Sequence, residues 1–425
     1  MPIDRQALSN DLTNLVGAEN VIIDDYELIN YGLDRFDREH TPLMVVMPSS
    51  LSHLKRLNFI LRRYKIDSIT PRGFGLGINL GAFSNDLIID LTLLNKKLNL
   101  DTKKLILTAQ AGISYMDIQR ELIKEGFHLP IEPILDGSLG GFIASGGYGY
   151  GSYRYGSVMS FLRSTTLFLS NGEMIQSGIP QVPPTSSGYN LNSLVCGSEG
   201  YFGIVIEAVL EIIPLASYSF NFLLSIRNST DLPQLITNFN NLKTLRNVSL
   251  YKGIINDNSS NLSFLLRLEG SNTAVEQDYS SLQGIQELNL GNPKDANKLW
   301  ENRIIDPAQI PASNMVIETI IPTNQLSRFF KFWEASDSPS YFGILLNANN
   351  ILLYMFLTES MDNLRKTGTL TEFLKKSSDF YAYPPTIGNN IKKFVKKDYR
   401  NLHIIKQLKP IFDITNRLKS KELRF

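Results

Sequence analysis

Two glycine clusters are the candidates for ligand chemistry in this chain of 425 residues. The first cluster, Pro71–Gly81, contains four glycines in eleven residues, and the second, Gly137–Gly156, contains eight in twenty. Glycine loses more conformational entropy on folding than any other residue, so this density needs a cause. One cause is tight turns and close strand packing. The other is a set of backbone N–H groups turned toward an anion such as a phosphate.

Two familiar nucleotide-binding motifs do not fit these clusters. The run Gly73-Phe74-Gly75-Leu76-Gly77 lacks the GxGxxG spacing of a Rossmann turn, and a predicted strand follows it where that turn would open a helix. The chain has no GxxxxGKS/T loop for a nucleoside triphosphate either. A long dinucleotide held by both clusters would fit the two loops.

Cysteine and histidine are scarce, which limits metal and redox chemistry. Cys196 is the single cysteine, so the chain excludes an internal disulfide, a cysteine-based zinc site and an iron–sulfur cluster held by four of its own cysteines. Its four histidines leave little material for a histidine-rich metal site. Because Cys196 lies in an apolar run, we expect it to be a core thiol.

The charges balance over the whole chain but not along it. Lys and Arg number 42 and Asp and Glu 41, which argues against a protein that coats nucleic acid. Residues 391–425, however, hold 11 basic and three acidic residues, a net charge of +8, and the remainder carries −7. This segment is either a solvated basic helix or a surface for an anionic membrane or an acidic partner.

One uncharged stretch is long enough to span a membrane. Ser338–Thr358 has 21 residues without a charge, but Asn347-Ala348-Asn349-Asn350 lies in its middle, so the pattern favours a β-hairpin. No apolar segment follows Met1, so we expect no signal peptide. Together with the single cysteine this predicts a cytoplasmic location, with membrane association through the basic segment as an alternative.

The elements that must position the glycine clusters alternate irregularly between strand and helix. This pattern predicts an α+β fold and not a strict βαβ series. The predicted strands are 43–47, 86–91, 104–110 and 204–213. The predicted helices are 51–64 after Ser49 or Ser50, and 115–125 between Ser114 and Gly126, and Asn171-Gly172 is a predicted hairpin turn.

A series of motifs follows in order over residues 31–214. They are Tyr31-Gly32-Leu33-Asp34, Pro42–Pro48, Arg72-Gly73-Phe74-Gly75, Ile88–Asn95, Gly126–Pro133, Ser138-Leu139-Gly140-Gly141, Tyr155-Gly156 and Gly197–Ile204. Taken together, they resemble the flavin-binding domain of the PCMH-type, or vanillyl-alcohol-oxidase-type, FAD oxidoreductases. The resemblance is greatest to the branch of glycolate oxidase subunits and D-lactate dehydrogenases.

The resemblance implies a fold and a cofactor. We expect a two-subdomain FAD-binding domain at 1–214, an antiparallel-sheet cap domain for substrate at 215–380, and a segment at 381–425 that packs back on the FAD-binding domain. FAD should be noncovalent, because neither glycine loop carries a His or Cys. The residues expected to bind it are Arg72, Gly73, Phe74, Gly75, Leu76, Gly77, Ile78, Ser138, Gly140, Gly141, Gly146, Gly147, Tyr155, Gly156, Glu199, Gly203 and Ile204.

The resemblance continues more thinly after residue 215, at Trp300–Arg303, Glu318–Pro322 and Lys409–Asn416. Where metal-using members carry two histidines, the matching run here, Phe342–Asn350, has none, so we expect no metal. Arg303 and Glu318 are the candidate catalytic residues. Arg303 would bind a substrate carboxylate or form a structural ion pair, and Glu318 would line a pocket or face outward from its strand. His128 would face the flavin or lie in a turn.

The function implied is an FAD-dependent oxidoreductase that oxidises a small 2-hydroxy acid of the lactate or glycolate type by hydride transfer to flavin N5. One alternative is an FAD enzyme that acts on a sugar, an alditol or another alcohol. The other is a flavin-binding, non-catalytic subunit of an oxidase complex. Because the chain lacks iron–sulfur ligands, electrons would leave to an external acceptor or an electron-transfer partner.

Overall fold

The computed structural model describes most of the chain. Several predicted features lie outside the described residues: Asp34, Ile78, Gly81, residues 358–382 of the predicted cap domain and most of the basic segment 391–425. The described residues are 3–32, 41–66, 68–77, 82, 86–182, 188–226, 232–252, 262–283, 289–304, 315–334, 340–357, 383–386 and 402–418.

The first sheet is small and mixed, with its strands in the spatial order β1-β2-β4-β3. Strands β2 and β3 both run parallel to β4, whereas β1 pairs antiparallel with β2. Leu54, Leu57 and Leu61, from the helix that precedes β3, join the core on this sheet. The strands are β1 Val21–Ile22, β2 Met44–Val46, β3 Ile69–Arg72 and β4 Leu87–Asp90.

The second sheet is antiparallel, in the order β11-β10-β12-β6-β5. Two short pairs stand beside it, β7 with β13 and β8 with β9. The strands are β5 Leu98–Asp101, β6 Ile106–Gln110, β7 Phe127–His128, β8 Glu132–Pro133, β9 Gly149–Tyr150, β10 Leu162–Phe168, β11 Met174–Gln176, β12 Ile204–Glu211 and β13 Ile213–Pro214.

The third sheet is the cap, antiparallel throughout its described strands, in the order β17-β14-β16-β15-β19-β20-β18-β21. A separate core cluster packs on it and includes Phe264, Phe329 and Phe330. The strands are β14 Tyr218–Ile226, β15 Leu245–Lys252, β16 Leu262–Gly270, β17 Asn289–Leu290, β18 Met315–Pro322, β19 Ser340–Asn347, β20 Asn350–Leu357 and β21 Tyr383–Thr386.

Helices cover the sheets and join them. They are α1 Arg5–Val16, α2 Asp25–Gly32, α3 Leu51–Arg63, α4 Tyr115–Lys124, α5 Leu139–Ala144, α6 Ser152–Tyr155, α7 Asn192–Val195, α8 Leu232–Phe239, α9 Asn272–Gln283, α10 Pro293–Glu301, α11 Leu326–Glu334 and α12 Leu402–Phe412. Short 3₁₀ turns occur at Ala18–Asn20, Val158–Ser160 and Thr323–Gln325.

The local sequence signals explain several of these bounds. The Ser50 hydroxyl accepts a hydrogen bond from the His53 N–H at 3.2 Å and begins α3 as predicted, and Ser114 begins α4 in the same way. The predicted hairpin is confirmed: β19 and β20 pair antiparallel, with the turn at the asparagine tetrad. No helix among the described residues has the length and apolar character to cross a membrane.

The α+β prediction with an antiparallel cap sheet is confirmed. The chain also returns to its first sheet as expected, because Leu418 forms a parallel bridge with Ile69. On either side of residue 215, β13 and β14 belong to different sheets. The domain limits 1–214, 215–380 and 381–425 stay predictions.

Candidate functional site

A cleft opens where the two glycine clusters meet the loop that follows α7. Its walls are mainly backbone and apolar side chains. The residues that line it are Pro71, Arg72, Gly73, Phe74, Gly75, Leu76, Gly77, Ala82, Leu91, Ala111, Leu135, Gly137, Ser138, Gly140, Gly141, Phe142, Ala144, Ser145, Glu199, Gly200 and Val205.

The first glycine loop offers hydrogen-bond donors to this cleft. No backbone N–H group from Gly73 to Gly77 donates to another atom of the described residues. Gly75 has a φ of +69°, and a Cβ at this position would clash with the guanidinium of Arg72. That guanidinium donates to the Tyr31 carbonyl at 3.2 Å and lies 4.9 Å from the centre of the Tyr31 ring. The Arg72 guanidinium therefore packs against the loop at Gly75. The N–H groups of the loop are available to a ligand.

The second cluster uses its glycines differently, for close packing. A Cβ on Gly140 would lie 2.6 Å from the Cβ of Ala111, and a Cβ on Gly73 would clash with the Ser138 hydroxyl. The first N–H groups of α5 are already occupied: Gly140 donates to the Ala111 carbonyl at 2.8 Å, and Gly141 donates to the Ser138 hydroxyl at 3.2 Å. Both causes of glycine density thus apply, with open donors in the first loop and close packing at Gly73 and Gly140.

The third wall is the strained loop at Glu199 and Gly200. Their φ angles are +49° and +85°, and a Cβ on Gly200 would lie 2.6 Å from Cγ of Pro71. Close approach of this loop to the start of the first glycine loop therefore requires a glycine. The next strand, β12, lines the cleft with Val205, whereas Ile204 packs in the core of the first sheet.

The cleft brings together most of the described residues expected to bind FAD. Arg72–Gly77, Ser138, Gly140, Gly141 and Glu199 line it. Six others do not: Gly146, Gly147, Tyr155, Gly156, Gly203 and Ile204. Reasoning from the sequence missed Ala111, Phe142 and Val205. The period-two alternation of β12 identifies Ile204 and Val205 as facing opposite sides but not which side faces the cleft.

Glu318 lies on the cap sheet opposite Tyr354 of β20 and is half-buried. The Tyr354 hydroxyl donates to the Glu318 carboxyl at 3.2 Å. Burial raises the pKa of Glu318 to about 7, the Tyr354 hydrogen bond opposes that rise, and the negative charge of Glu199 adds to it. Glu199 lines the cleft, whereas Glu318 is not among the described residues that line it.

Arg303 lies in a structural ion pair. One terminal nitrogen, Nη2, donates to the Glu132 carboxylate, and the other, Nη1, donates to the Trp300 carbonyl at 2.6 Å. Its guanidinium stacks 4.2 Å from the centre of the Trp300 ring. The structure thus shows the structural alternative for Arg303, and its role toward a substrate carboxylate stays a prediction.

Arg303 belongs to a buried charge cluster, which we define as Glu132, Arg246, Arg267, Glu269 and Arg303. Glu132 comes from the β8–β9 pair and the other four from the cap part of the chain. Arg246 donates to Glu269 at 2.6 Å and approaches Glu132 at 3.4 Å. Burial alone would raise the pKa of Glu132, but Arg303 and Arg246 hold it below its usual value.

His128 is buried beside this charge cluster and does not line the cleft. Its Nδ1 lies 2.8 Å from the Leu129 carbonyl and 3.4 Å from a guanidinium nitrogen of Arg246. Burial and the positive charge of Arg246 lower the pKa of His128 to about 4. His128 therefore neither lines the cleft nor lies in a turn: it belongs to strand β7, where it pairs with Ile213, and it is neutral at physiological pH.

The chemistry of the cleft fits a dinucleotide with an apolar ring system. The N–H groups of Gly73–Gly77 suit a diphosphate, and Ala111, Phe142 and Val205 supply apolar surface for a ring. A comparison with protein families decides the matter, because residues 42–178 match the family described as an FAD binding domain. Residues 42–178 therefore form an FAD-binding domain. The predictions of the family and of FAD are confirmed.

Curated relatives of this chain are named as dehydrogenases, as a subunit of an oxidase and as an FAD-linked oxidoreductase. A D-lactate dehydrogenase from Anaerostipes hadrus is 30% identical over 223 residues, which cover 51% of this chain and 45% of that protein. Glycolate oxidase subunit GlcD from Bacillus subtilis is 24% identical over 295 residues, covering 65% and 62%. The chain spans about half the length of the curated relatives it matches.

Solved structures extend the likeness of fold to nearly the whole chain. p-Cresol methylhydroxylase with bound substrate has a TM-score of 0.78 at 13% identity, covering 97% of this chain and 95% of that one. An alkyldihydroxyacetonephosphate synthase has a TM-score of 0.75 at 16% identity, covering 98% and 86%. At such identities these neighbours show the fold alone, which includes the cap sheet.

None of the described residues that line the cleft is His or Cys. Cys196 lies at the end of α7 and packs against the core of the second sheet. Burial raises the pKa of its thiol to about 12, so the thiol stays protonated and unreactive. Among the described residues, no group of three or more His, Cys, Asp or Glu side chains could hold a metal ion.

Proposed function

We propose that FAD binds noncovalently in the cleft, with its diphosphate on the Gly73–Gly77 loop. The support is that the N–H groups of this loop have no acceptor among the described residues. Gly73 lets Ser138 approach closely, and Gly140 does the same for Ala111. These close approaches keep the cleft narrow.

We further propose that the protein is an FAD-linked oxidoreductase that oxidises the CH–OH group of a small 2-hydroxy acid. Relatives named for D-lactate, glycolate and D-2-hydroxyglutarate support this substrate class. Bound FAD would supply the two-electron acceptor that oxidation of an alcohol requires. The electrons then pass to an external acceptor or partner, since one cysteine in the chain cannot hold an iron–sulfur cluster.

The proposed chemistry depends on one observation, the raised pKa of the Glu318 carboxyl group. Oxidation of an alcohol needs a base that takes the hydroxyl proton, and such a base works best when its pKa is close to the working pH. With a pKa of about 7, Glu318 is partly ionised at neutral pH and can take up a proton. Tyr354 orients its carboxylate through the hydrogen bond from the phenol hydroxyl.

A neutral alcohol such as a sugar or alditol is a second candidate substrate. The observation that favours it is Arg303, because both of its terminal nitrogens already have partners in Glu132 and the Trp300 carbonyl. Binding a substrate carboxylate there would require it to compete with Glu132. An oxidation panel that includes both classes separates the two candidates.

The test is anaerobic reduction of the flavin by D-lactate, glycolate, D-2-hydroxyglutarate and a set of sugars and alditols. We expect the visible flavin absorption to bleach with one hydroxy acid, at a rate that rises with pH through about 7 as Glu318 loses its proton. Bleaching by sugars or alditols alone would favour the second candidate. No bleaching by any compound, with FAD bound, would leave a non-catalytic flavin subunit.

Glu318→Gln tests the base directly. We expect the reduction rate to fall by about 10²- to 10⁴-fold, the usual contribution of a general base, with FAD still bound. In the wild type the hydrogen bond from Tyr354 lowers the pKa of Glu318. Tyr354→Phe removes this bond, so the midpoint of the pH profile should move upward. The exposed Glu301, changed to Gln, is the control and should behave as wild type. An undiminished rate in Glu318→Gln would remove this residue from the chemistry.

A further inference from the structure

The last turn of α12 and the residues that follow it form a buried clasp, which we define as Lys409, Asp413 and Leu418. The Lys409 ammonium donates to the carboxylate of Asp413 at 2.7 Å and to the carbonyl of Leu418 at 2.5 Å. Asp413 in turn accepts the N–H groups of Arg417 at 3.0 Å and Leu418 at 2.8 Å. Lys409 and Asp413 are only 5% and 1% exposed, so this polar unit is sealed from water.

Two hydrogen bonds connect the clasp, together with the neighbouring Arg417, to two walls of the cleft. Lys409 also donates to the Tyr201 carbonyl at 2.6 Å, one residue after Gly200. The Arg417 carbonyl accepts the Ile69 N–H at 2.8 Å, at the beginning of the strand that leads into the first glycine loop. An edge-to-face contact between Phe202 and Phe412 adds apolar packing on the same side.

These two walls already meet each other at one point. A Cβ on Gly200 would lie 2.6 Å from Pro71, so the Glu199–Gly200 loop and the Pro71–Gly77 loop are in contact. The clasp holds Tyr201 on one side of this contact and Ile69 on the other. The clasp therefore bridges the two chain segments that lead into these loops, although none of its three residues lines the cleft.

We propose that Lys409 is a positioning residue for FAD: through Tyr201 and Ile69 the clasp fixes the spacing of two walls of the FAD cleft. A buried ammonium keeps its geometry because each lost hydrogen bond would leave a charge without compensation in a dry site. This inference rests on FAD lying in the cleft and is independent of the proposed oxidation.

Reciprocity gives a test on the wild-type protein. If the clasp favours FAD binding, FAD binding must stabilise the clasp by the same factor. We expect the amides of Ile69, Arg417 and Leu418 to exchange hydrogen about tenfold more slowly with FAD bound, within the range usual for coupled sites. Amides of β16 in the cap report any global change. Protection of the glycine loop alone, with clasp amides following β16, would overturn the proposal.

A variant pair gives the second test. Lys409→Met leaves Asp413 buried without its cation, so the double variant Lys409→Met, Asp413→Asn removes both charges together and protects folding. We expect either folded protein to bind FAD about tenfold more weakly, a typical coupling. The control is Lys406→Met, on the exposed side of the same helix.

The readouts are the FAD dissociation constant, from flavin fluorescence, and the unfolding midpoint of the FAD-free protein. A residue that only stabilises the fold would lower the midpoint and leave the dissociation constant of the folded protein within about twofold of wild type. That result overturns the proposal. Wild-type protein that does not bind FAD would overturn the cleft assignment and the positioning role together.

Discussion

The cleft and the buried charge cluster solve opposite problems. The cleft is built from backbone and apolar side chains, and its donors at Gly73–Gly77 have no partner in the described chain. In the charge cluster, Glu132 and Glu269 accept from three guanidiniums at close range. The open donors suit a ligand that arrives after folding. The charge cluster instead joins the β8–β9 pair to the cap sheet as a permanent part of the fold.

The largest expected effect breaks the charge cluster. Glu132→Ala leaves Arg246 and Arg303 buried without one of their carboxylate partners, so we expect the free energy of unfolding to fall by about 3–5 kcal/mol. Chemical denaturation measures it. Glu121→Ala removes an exposed partner of Lys124 and should cost less than about 1 kcal/mol. Equal losses in the two variants would contradict the contrast between this cluster and surface ion pairs.

The next largest effect is a loss of stability at acidic pH, caused by His128 beside the charge cluster. The pKa of His128 is about 4 in the folded protein and about 6.5 when unfolded, so below pH 6.5 the unfolded state binds the proton more readily. Stability should therefore fall as the pH drops from about 6.5 to 4, by about 2 kcal/mol from this residue.

Denaturation curves at pH 7 and 4.5 measure that loss. His128→Asn should lose less stability between the two pH values than wild type does. The exposed His403, changed to Asn, should retain the full loss. An identical pH dependence in His128→Asn and wild type would mean that other groups cause the acid sensitivity.

The smallest effect tests the cleft. Gly140→Ala places a Cβ 2.6 Å from that of Ala111, which pushes α5 away from β6 and widens the cleft. We expect FAD affinity to fall about tenfold, in line with the cost of overpacking, with a smaller change in stability than for Glu132→Ala.

Two companion variants show whether the contact is the cause. Adding Ala111→Gly should recover part of the FAD affinity lost in Gly140→Ala. Gly137→Ala lines the same cleft but meets no atom closer than 4.0 Å, so it should bind FAD nearly as wild type does. Equal affinities in Gly140→Ala and Gly137→Ala would show that close packing at Gly140 does not shape the site.

The sequence predicted what depends on neighbouring residues. Helix α3 follows from the Ser50 cap and its leucine stripe, and the β19–β20 hairpin follows from the asparagine turn. The glycine loops were also recognisable, because a positive φ or a close approach is a local demand that only glycine meets cheaply.

What could not be predicted depends on residues far apart in the chain. The residues next to Arg303 in the sequence do not indicate that it forms an ion pair with Glu132. The two residues are far apart in the chain, so the pair exists only in the folded protein. The pKa of Glu318 depends on its burial and on Tyr354 from another strand. The choice of Val205 over Ile204 as the cleft residue depends on which face of β12 the second glycine cluster covers.

The bridge between Ile69 and Leu418 has a consequence for biosynthesis. The backbone partner of Ile69 in β3 is synthesised only after the cap sheet. At ~5–20 residues per second, this is about tens of seconds after β3 itself has been synthesised. Until then the strand that leads into the first glycine loop lacks its contact with Leu418. Cofactor capture should therefore follow synthesis of Leu418, and pulse-labelled chains stalled before residue 409 should not retain flavin.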